Sequence, residues 1–254
     1  MSLPPTPALQ THGLVKRFGG FVATDGVSLQ VTAGARHALI GPNGAGKTTL
    51  VNLLTGSLQP SAGRVWVHGV DVTALSQHER VKHGVARTFQ INRLCADLTV
   101  LEHVLLAVCE RLALGGRWWR PAAAHEQAVA EAVDLLVQLR LGDLAHEPVR
   151  RLAYGKQRLI EIALALAARP RVLLLDEPAA GVPSAQSREL FETIARLPRD
   201  VTIVLIEHDM DLVFRFADRI SVLVGGALLV EDTPQRIAAD AQVRRLYLGE
   251  QAHG

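Results

Sequence analysis

The sequence predicts an α/β fold with a mainly parallel core sheet, an antiparallel β subdomain and a helical subdomain, and three observations carry that prediction. A short apolar run, Ala35 to Ile40, stops at a glycine-rich loop and gives way to a helix running from about Gly46 to Thr55. Two purely apolar runs, Val172 to Leu175 and Val201 to Ile206, flank a helical stretch from Ser184 to Leu197, and β-α-β order requires parallel pairing. From Thr99 to about Arg169 the pattern is helical, with Leu101, Val104, Leu105 and Val108 recurring at helical spacing.

Taken in order, Thr11 to Phe18 and Val22 to Val31 have the β-branched and apolar content of strands, joined by a Gly19-Gly20 turn. Val65 to Val67 and Val85 to Phe89 are further strands, the second ending at Gln90. Within the helical stretch, Trp118 and Trp119, flanked by Arg117 and Arg120, supply ring area that packs between two helices or meets a partner. Val172 to Leu175 lies between Pro170 and Asp176-Glu177, as a strand buried on both faces should. Arg219 to Val224 and Ala227 to Glu231 form a hairpin through Gly225-Gly226.

A chain of 254 residues can bury one large core, and the reading is a single domain over 8–254 with the helical subdomain inserted at about 93–168. The 27 Lys plus Arg against 25 Asp plus Glu leave no electrostatic footprint of a nucleic-acid binder. The two cysteines, Cys95 and Cys109, have no metal-ligand spacing and are expected as small apolar residues in a reducing compartment. Met1 to Pro7 lacks a leader pattern, and the longest apolar runs are broken by Glu161 and by Gly225-Gly226, so a cytoplasmic protein is expected.

Gly41-Pro42-Asn43-Gly44-Ala45-Gly46-Lys47-Thr48 fits the P-loop pattern in its required setting, strand before and helix after, which makes the fold class a P-loop NTPase. Glycines let the backbone N–H groups turn inward onto phosphate oxygens, and the helix N-terminus adds its partial positive charge. Lys47 is expected to reach the β- and γ-phosphates, the Thr48 hydroxyl to ligate Mg²⁺, and Thr49 to extend the cradle. Asp176 should emerge at the carboxyl end of the sheet, where open α/β folds bind ligands, and hold the Mg²⁺. Glu177 would orient and deprotonate the attacking water. Gln90 and His208 also end strands, so four strand ends supply groups suited to one Mg-triphosphate.

The helical stretch ends in Leu152-Ala153-Tyr154-Gly155-Lys156-Gln157, just upstream of the Asp176 strand. This resembles the signature of ABC ATPases, commonly Leu-Ser-Gly-Gly-Gln, and the resemblance spans nearly the whole chain. The Leu-Ala-Tyr-Gly spelling, the Ala179-Ala180-Gly181 run and the ending Arg245 to Glu250 look like the ATP-binding subunits of branched-chain amino acid importers, specifically the member with the longer helical insert. Relatives serving urea or short amides share the pattern.

The resemblance implies an ATPase that works as a dimer, homomeric or heteromeric. The P-loop of one subunit and Ala153, Tyr154, Gly155 and Lys156 of the other would enclose ATP. It places Phe18 as the adenine-stacking aromatic and Gln90 as the sensor of γ-phosphate and Mg²⁺, with Glu177, His208, Gln90 and Lys47 as the catalytic set. Membrane permease subunits would dock between Gln90 and Thr99, holding the protein on the inner face of the plasma membrane. Four departures stand out. Ala153 replaces the signature serine, Lys156 replaces glutamine and is expected to face solvent, and Pro183 replaces the asparagine or aspartate that makes a cross-dimer contact. Cys95 stands where the subgroup has an aromatic. The competing readings are an exporter-type cassette and a non-transport ABC ATPase; the latter usually carries tandem cassettes or basic extensions.

Overall fold

The computed structural model describes residues 6–88, 94–114 and 125–250, with side chains as far as residue 246. The chain forms two compact units: Met1–Val85 with Arg171–Glu177 and Arg199–Gly254, and Ala86–Pro170 with Pro178–Pro198.

The first unit holds two sheets. Strands β1 (Leu9–Phe18), β2 (Phe21–Val27), β3 (Gln30–Val31), β5 (Ala62–Val67) and β6 (Val70–Asp71) pair antiparallel around β1. The single strand expected over Val22 to Val31 is broken after Val27. Thr11 Oγ1 donates to the Val27 carbonyl and accepts the Leu29 N–H, both at 2.9 Å, and this side chain takes the place of ladder bonds across the break.

The second sheet runs β11-β10-β4-β9-β8-β7, with β4 (Arg36–Ile40), β8 (Val172–Asp176) and β9 (Thr202–Ile206) parallel and wholly buried. Strand β10 (Arg219–Val224) is parallel to β4 and makes the expected hairpin with β11 (Ala227–Asp232). Strand β7 (Val85–Arg87) closes the far edge, and Phe89 and Gln90, expected at its end, lie outside the described residues. Helix α1 (Lys47–Thr55) follows the loop after β4 and buries Leu50, Val51, Leu53 and Leu54.

Helix α2 (Gln77–Lys82) delivers Arg80, which is fully buried. Its guanidinium donates to the carbonyls of Leu53 (2.5 Å), Leu54 (2.9 Å), Thr73 (2.8 Å) and Leu75 (3.2 Å). Two of these belong to the last turn of α1, where orphan carbonyls and the negative helix end suit a cation. The sequence reading missed α2, as it missed α7 (Met210–Phe216), α8 (Pro234–Ala239) and α9 (Ala241–Glu250).

The second unit is helical: α3 (Val100–Arg111), α4 (Glu126–Gln138), α5 (Tyr154–Ala167) and α6 (Ser184–Ala195). The expected stripe is real, with Val104, Leu105 and Val108 buried alongside Ala128, Ala132, Leu136, Leu159 and Ala163. Glu131 ties three of the helices together: it accepts Arg111 at 2.6 Å and Arg169 at 2.8 Å, while Arg111 also donates to the Ala167 carbonyl. Glu161, which interrupts the apolar run of α5, is buried and paired with Arg158 at 2.8 Å, and burial raises the pKa of its carboxyl. Cys109 is buried as expected; Cys95 is exposed, because it sits on the chain entering α3, where its N–H is held by His103 Nε2 at 2.9 Å. Trp118 and Trp119 lie outside the described residues.

Candidate functional site

Strand register brings the P-loop, Asp176, Glu177 and His208 to one edge of the parallel sheet, while Gln90 lies outside the described residues. Ile206 on β9 faces Leu39 on β4 and Asp176 on β8, so the P-loop, Asp176-Glu177 and Glu207-His208 all leave the sheet just past the same rung. The loop and the acidic pair are therefore separated by one intervening strand, about 10 Å at two strand spacings, a span suited to a phosphate chain.

The loop's shape depends on Gly46, at φ 94°, whose missing side chain leaves room for the Ala23 carbonyl 2.4 Å from where a Cβ would stand. Gly46 opens α1 with no side-chain cap, so the first-turn N–H groups project into the loop without a serine or aspartate oxygen across them. Lys47 Nζ donates to the Gly41 carbonyl at 2.6 Å and the Pro42 carbonyl at 3.0 Å, which holds the ammonium against the loop's own backbone. Pro42, Asn43, Gly44 and Ala45 complete the curl, with the Ala45 carbonyl accepting the Gly226 N–H at 3.0 Å, while Thr48 is exposed and Thr49 half-buried.

Asp176 is 3% exposed at the end of β8. Glu177 follows at φ 47°, a left-handed backbone unusual for a side-chain-bearing residue, held by its N–H on the Ile206 carbonyl at 2.9 Å. That turn takes the chain off the sheet immediately after Asp176 and leaves the Glu177 carboxylate only partly buried.

His208 leaves β9 with its side chain exposed, and the neighbouring Glu207 is buried. A Glu207 carboxylate oxygen accepts the His208 N–H at 3.1 Å and stands 3.7 Å from its Nδ1. The sequence reading passed over Glu207; its signal was a second carboxylate directly after a buried strand. Phe18 is 48% exposed at the end of β1, which rules out a core role, and Lys16 Nζ lies 5.2 Å from its ring centroid.

The donor set fits a magnesium ion. One hydroxyl, Thr48, and one buried carboxylate, Asp176, resemble the few protein ligands Mg²⁺ takes when phosphates and waters supply the rest. No all-protein cluster of three or more acidic, histidine or cysteine ligands occurs among the described residues.

The signature residues are in the second unit, where Ala153 stands at the start of α5 with no side-chain cap bond of its own. Tyr154 packs under the Arg158 guanidinium, 5.1 Å from its ring centroid. Gly155 is buried, and its N–H is taken by Gln186 Oε1 at 3.0 Å. Lys156 does not simply face solvent: it is paired with Glu189 at 2.7 Å, because α6 runs close enough to bring the carboxylate under the ammonium. Pro183 occupies the capping position of α6 with no side-chain bond to offer.

The sheet edge with its phosphate loop defines a P-loop nucleotide-binding protein, and comparison with known proteins gives the class. Residues 24–180 match the model of the ABC transporter family, and the chain belongs to that family of ATP-binding, ATP-hydrolysing cassettes. It is 41% identical over 251 residues to the high-affinity branched-chain amino acid transport ATP-binding protein BraF of Pseudomonas aeruginosa, covering 96% of this chain and 98% of that protein. The corresponding protein LivG of Escherichia coli is 40% identical over 251 residues with the same coverage. Among solved structures, an ATP-binding cassette of an ABC transporter in its ADP conformation matches with TM-score 0.85 and 32% identity over 96% of this chain and 99% of its own. A dimeric bacterial ABC transporter cassette matches with TM-score 0.73 and 25% identity over 89% of this chain and 98% of its own.

The fold class and family expected from the sequence are thus borne out, and cassettes of this family bind nucleotide and dimerise. No helix among the described residues is long and apolar enough to cross a membrane.

Proposed function

We propose that this chain energises an importer of branched-chain amino acids or related small polar solutes, docked through permease subunits to the inner face of the plasma membrane. The identity to BraF and LivG over almost the full length supports the solute class. The observation that carries the chemistry is the shared rung at Ile206, which sets a phosphate loop and two carboxylates along one sheet edge.

In this reading residues 8–254 form one ABC ATPase domain with a helical insert over about 93–168. Gly41 to Thr49 cradle the triphosphate, Lys47 neutralises its β- and γ-oxygens, and Phe18 stacks on the base. Thr48, Asp176 and Gln90 would hold a magnesium ion, which when bound spreads charge off the phosphates. Glu177 takes the proton of the attacking water, and His208 steadies the γ-phosphate. Ala153 to Lys156 of a second subunit, identical or paralogous, close the pocket, so one chain alone cannot complete it. Permeases would seat against the stretch from Gln90 to Thr99, where Cys95 is exposed.

The test is Glu177→Gln. It should bind ATP and associate into dimers yet release phosphate at least about 100-fold more slowly, the usual worth of a positioned base. Normal phosphate release would remove Glu177 from its role, and detergent extracts in which the tagged protein brings down no hydrophobic permease chain would remove the transport reading.

A further inference from the structure

The N–H that the signature would offer to a nucleotide is already taken. Gly155 is buried, and the group over it is the Gln186 side chain, whose Oε1 accepts the Gly155 N–H at 3.0 Å. The approach is close: a Cβ on Gly155 would stand 3.0 Å from Gln186 Oε1 and 3.1 Å from Gln186 Cβ. One turn further along α6, Glu189 holds Lys156 at 2.7 Å, so two consecutive residues of the signature are bound by residues three apart on one helix face. A cavity of about 130 Å³ beside Gln186, lined also by Ala153, Leu159 and Leu190, gives the amide space to move aside without unfolding either helix.

From this arrangement we infer that Gln186 is a built-in competitor for the signature, a neutral oxygen that stands where a phosphate oxygen must arrive before two subunits can close on ATP. The inference rests on the proposed sandwich and adds its regulation: closure must exchange one hydrogen bond, Gly155 to Gln186, for another, Gly155 to the γ-phosphate of the opposing subunit. A neutral amide is a weaker acceptor than a phosphate anion, so ATP wins the exchange. After hydrolysis and loss of phosphate the amide returns and favours separation. Gln186 is a positioning residue in this scheme, since it contacts the signature and not the reacting atoms.

The test is a series at position 186 in the Glu177→Gln protein, reading the dissociation constant of the ATP-driven dimer by analytical ultracentrifugation. Alongside it, the ATP affinity of the dilute monomer is measured by fluorescence of a labelled nucleotide. Gln186→Leu removes the competing oxygen and should tighten the dimer by about two- to tenfold, the range a net hydrogen bond spans. Gln186→Glu puts a carboxylate on the same N–H and next to the incoming phosphate, and should weaken the dimer by at least as much. Monomer affinity should stay constant across the series.

A structural role alone would make both variants weaken the dimer together and lower the melting temperature in step. That outcome, or a flat series, overturns the competitor role while leaving the sandwich intact. A Glu177→Gln parent that never dimerises with ATP takes down the sandwich reading itself, and the competitor with it.

Discussion

Four helices of this chain show two ways of finishing an N-terminus. Helices α2 and α3 close theirs with capping boxes, Ser76 with Glu79 and Thr99 with Glu102, each satisfying two backbone donors reciprocally. Helices α1 and α5 do neither: Gly46 and Ala153 stand at their starts without a side-chain oxygen. The first pair hold the fold together and gain the usual stability of a cap. The second pair forgo it, and both carry the residues expected to meet phosphate. Lack of a local cap does not by itself mark a ligand site, since α4, α6 and α8 also start without one, and the starts of α1 and α5 differ from each other in one respect. That of α1 is shaped by a left-handed glycine against the Ala23 carbonyl, whereas that of α5 is covered by a side chain.

The same substitution made at both bare ends should separate them most widely. Gly46→Ala asks an L side chain to adopt φ 94° with its Cβ 2.4 Å from the Ala23 carbonyl, and no flexible group can yield. A loss on the order of 3 kcal/mol is expected in urea unfolding, together with loss of ATP binding. Gly155→Ala meets Gln186 Oε1 at 3.0 Å, an amide end able to swing away, and Gln186 Cβ at 3.1 Å, which asks α6 to give by a few tenths of an ångström, while it replaces a helical glycine with alanine. Its stability should stay within about 1 kcal/mol of wild type. Equal losses at the two positions would break the contrast between an end only glycine can form and a covered one.

The capped ends supply the next, smaller effect. Thr99→Ala removes the oxygen that accepts the Glu102 N–H at 3.2 Å and leaves Glu102 to hold the Thr99 N–H alone. Unfolding by urea should show a loss of about 1 kcal/mol, with ATP turnover per folded molecule unchanged. A turnover defect larger than the stability defect would mean that the cap of α3 also serves the chemistry.

How far this was legible in the sequence depends on the sequence distance between partners. Lys47 and Thr48 could be placed by the glycine-rich loop between a buried strand and a helix, and Asp176 and Glu177 by the end of a buried strand, because a buried parallel strand announces itself by composition. The break after Val27 could not, since it depends on Thr11 reaching across from another strand. Nor could Arg80, whose four carbonyl partners come from α1 and from the turn before α2. Gln186 and Glu189 are 31 and 33 residues from their partners Gly155 and Lys156. Nothing local in α6 says that its face will meet α5, which is why Lys156 read as solvent-facing and is instead paired. Glu207 was legible in principle, a carboxylate ending a buried strand, but His208 beside it drew the attention.

The smallest effect is expected at the start of α6, where another uncapped N-terminus has a different cause. Pro183 sits at φ −56° and ψ 144°, the extended geometry of a capping residue, with no side-chain acceptor and no N–H. Pro183→Asn supplies a capping oxygen worth about 1 kcal/mol, but it also frees the unfolded chain by a comparable amount, so net stability should hardly move. Turnover is the readout that separates the two ideas about this residue. If the proline withholds a polar contact across the dimer, the asparagine protein should hydrolyse ATP faster and with a higher Hill coefficient, at unchanged melting temperature. Identical rates and cooperativity would instead class Pro183 with the structural ends of α2 and α3, as a helix start that happens to be finished by backbone stiffness in place of a hydrogen bond.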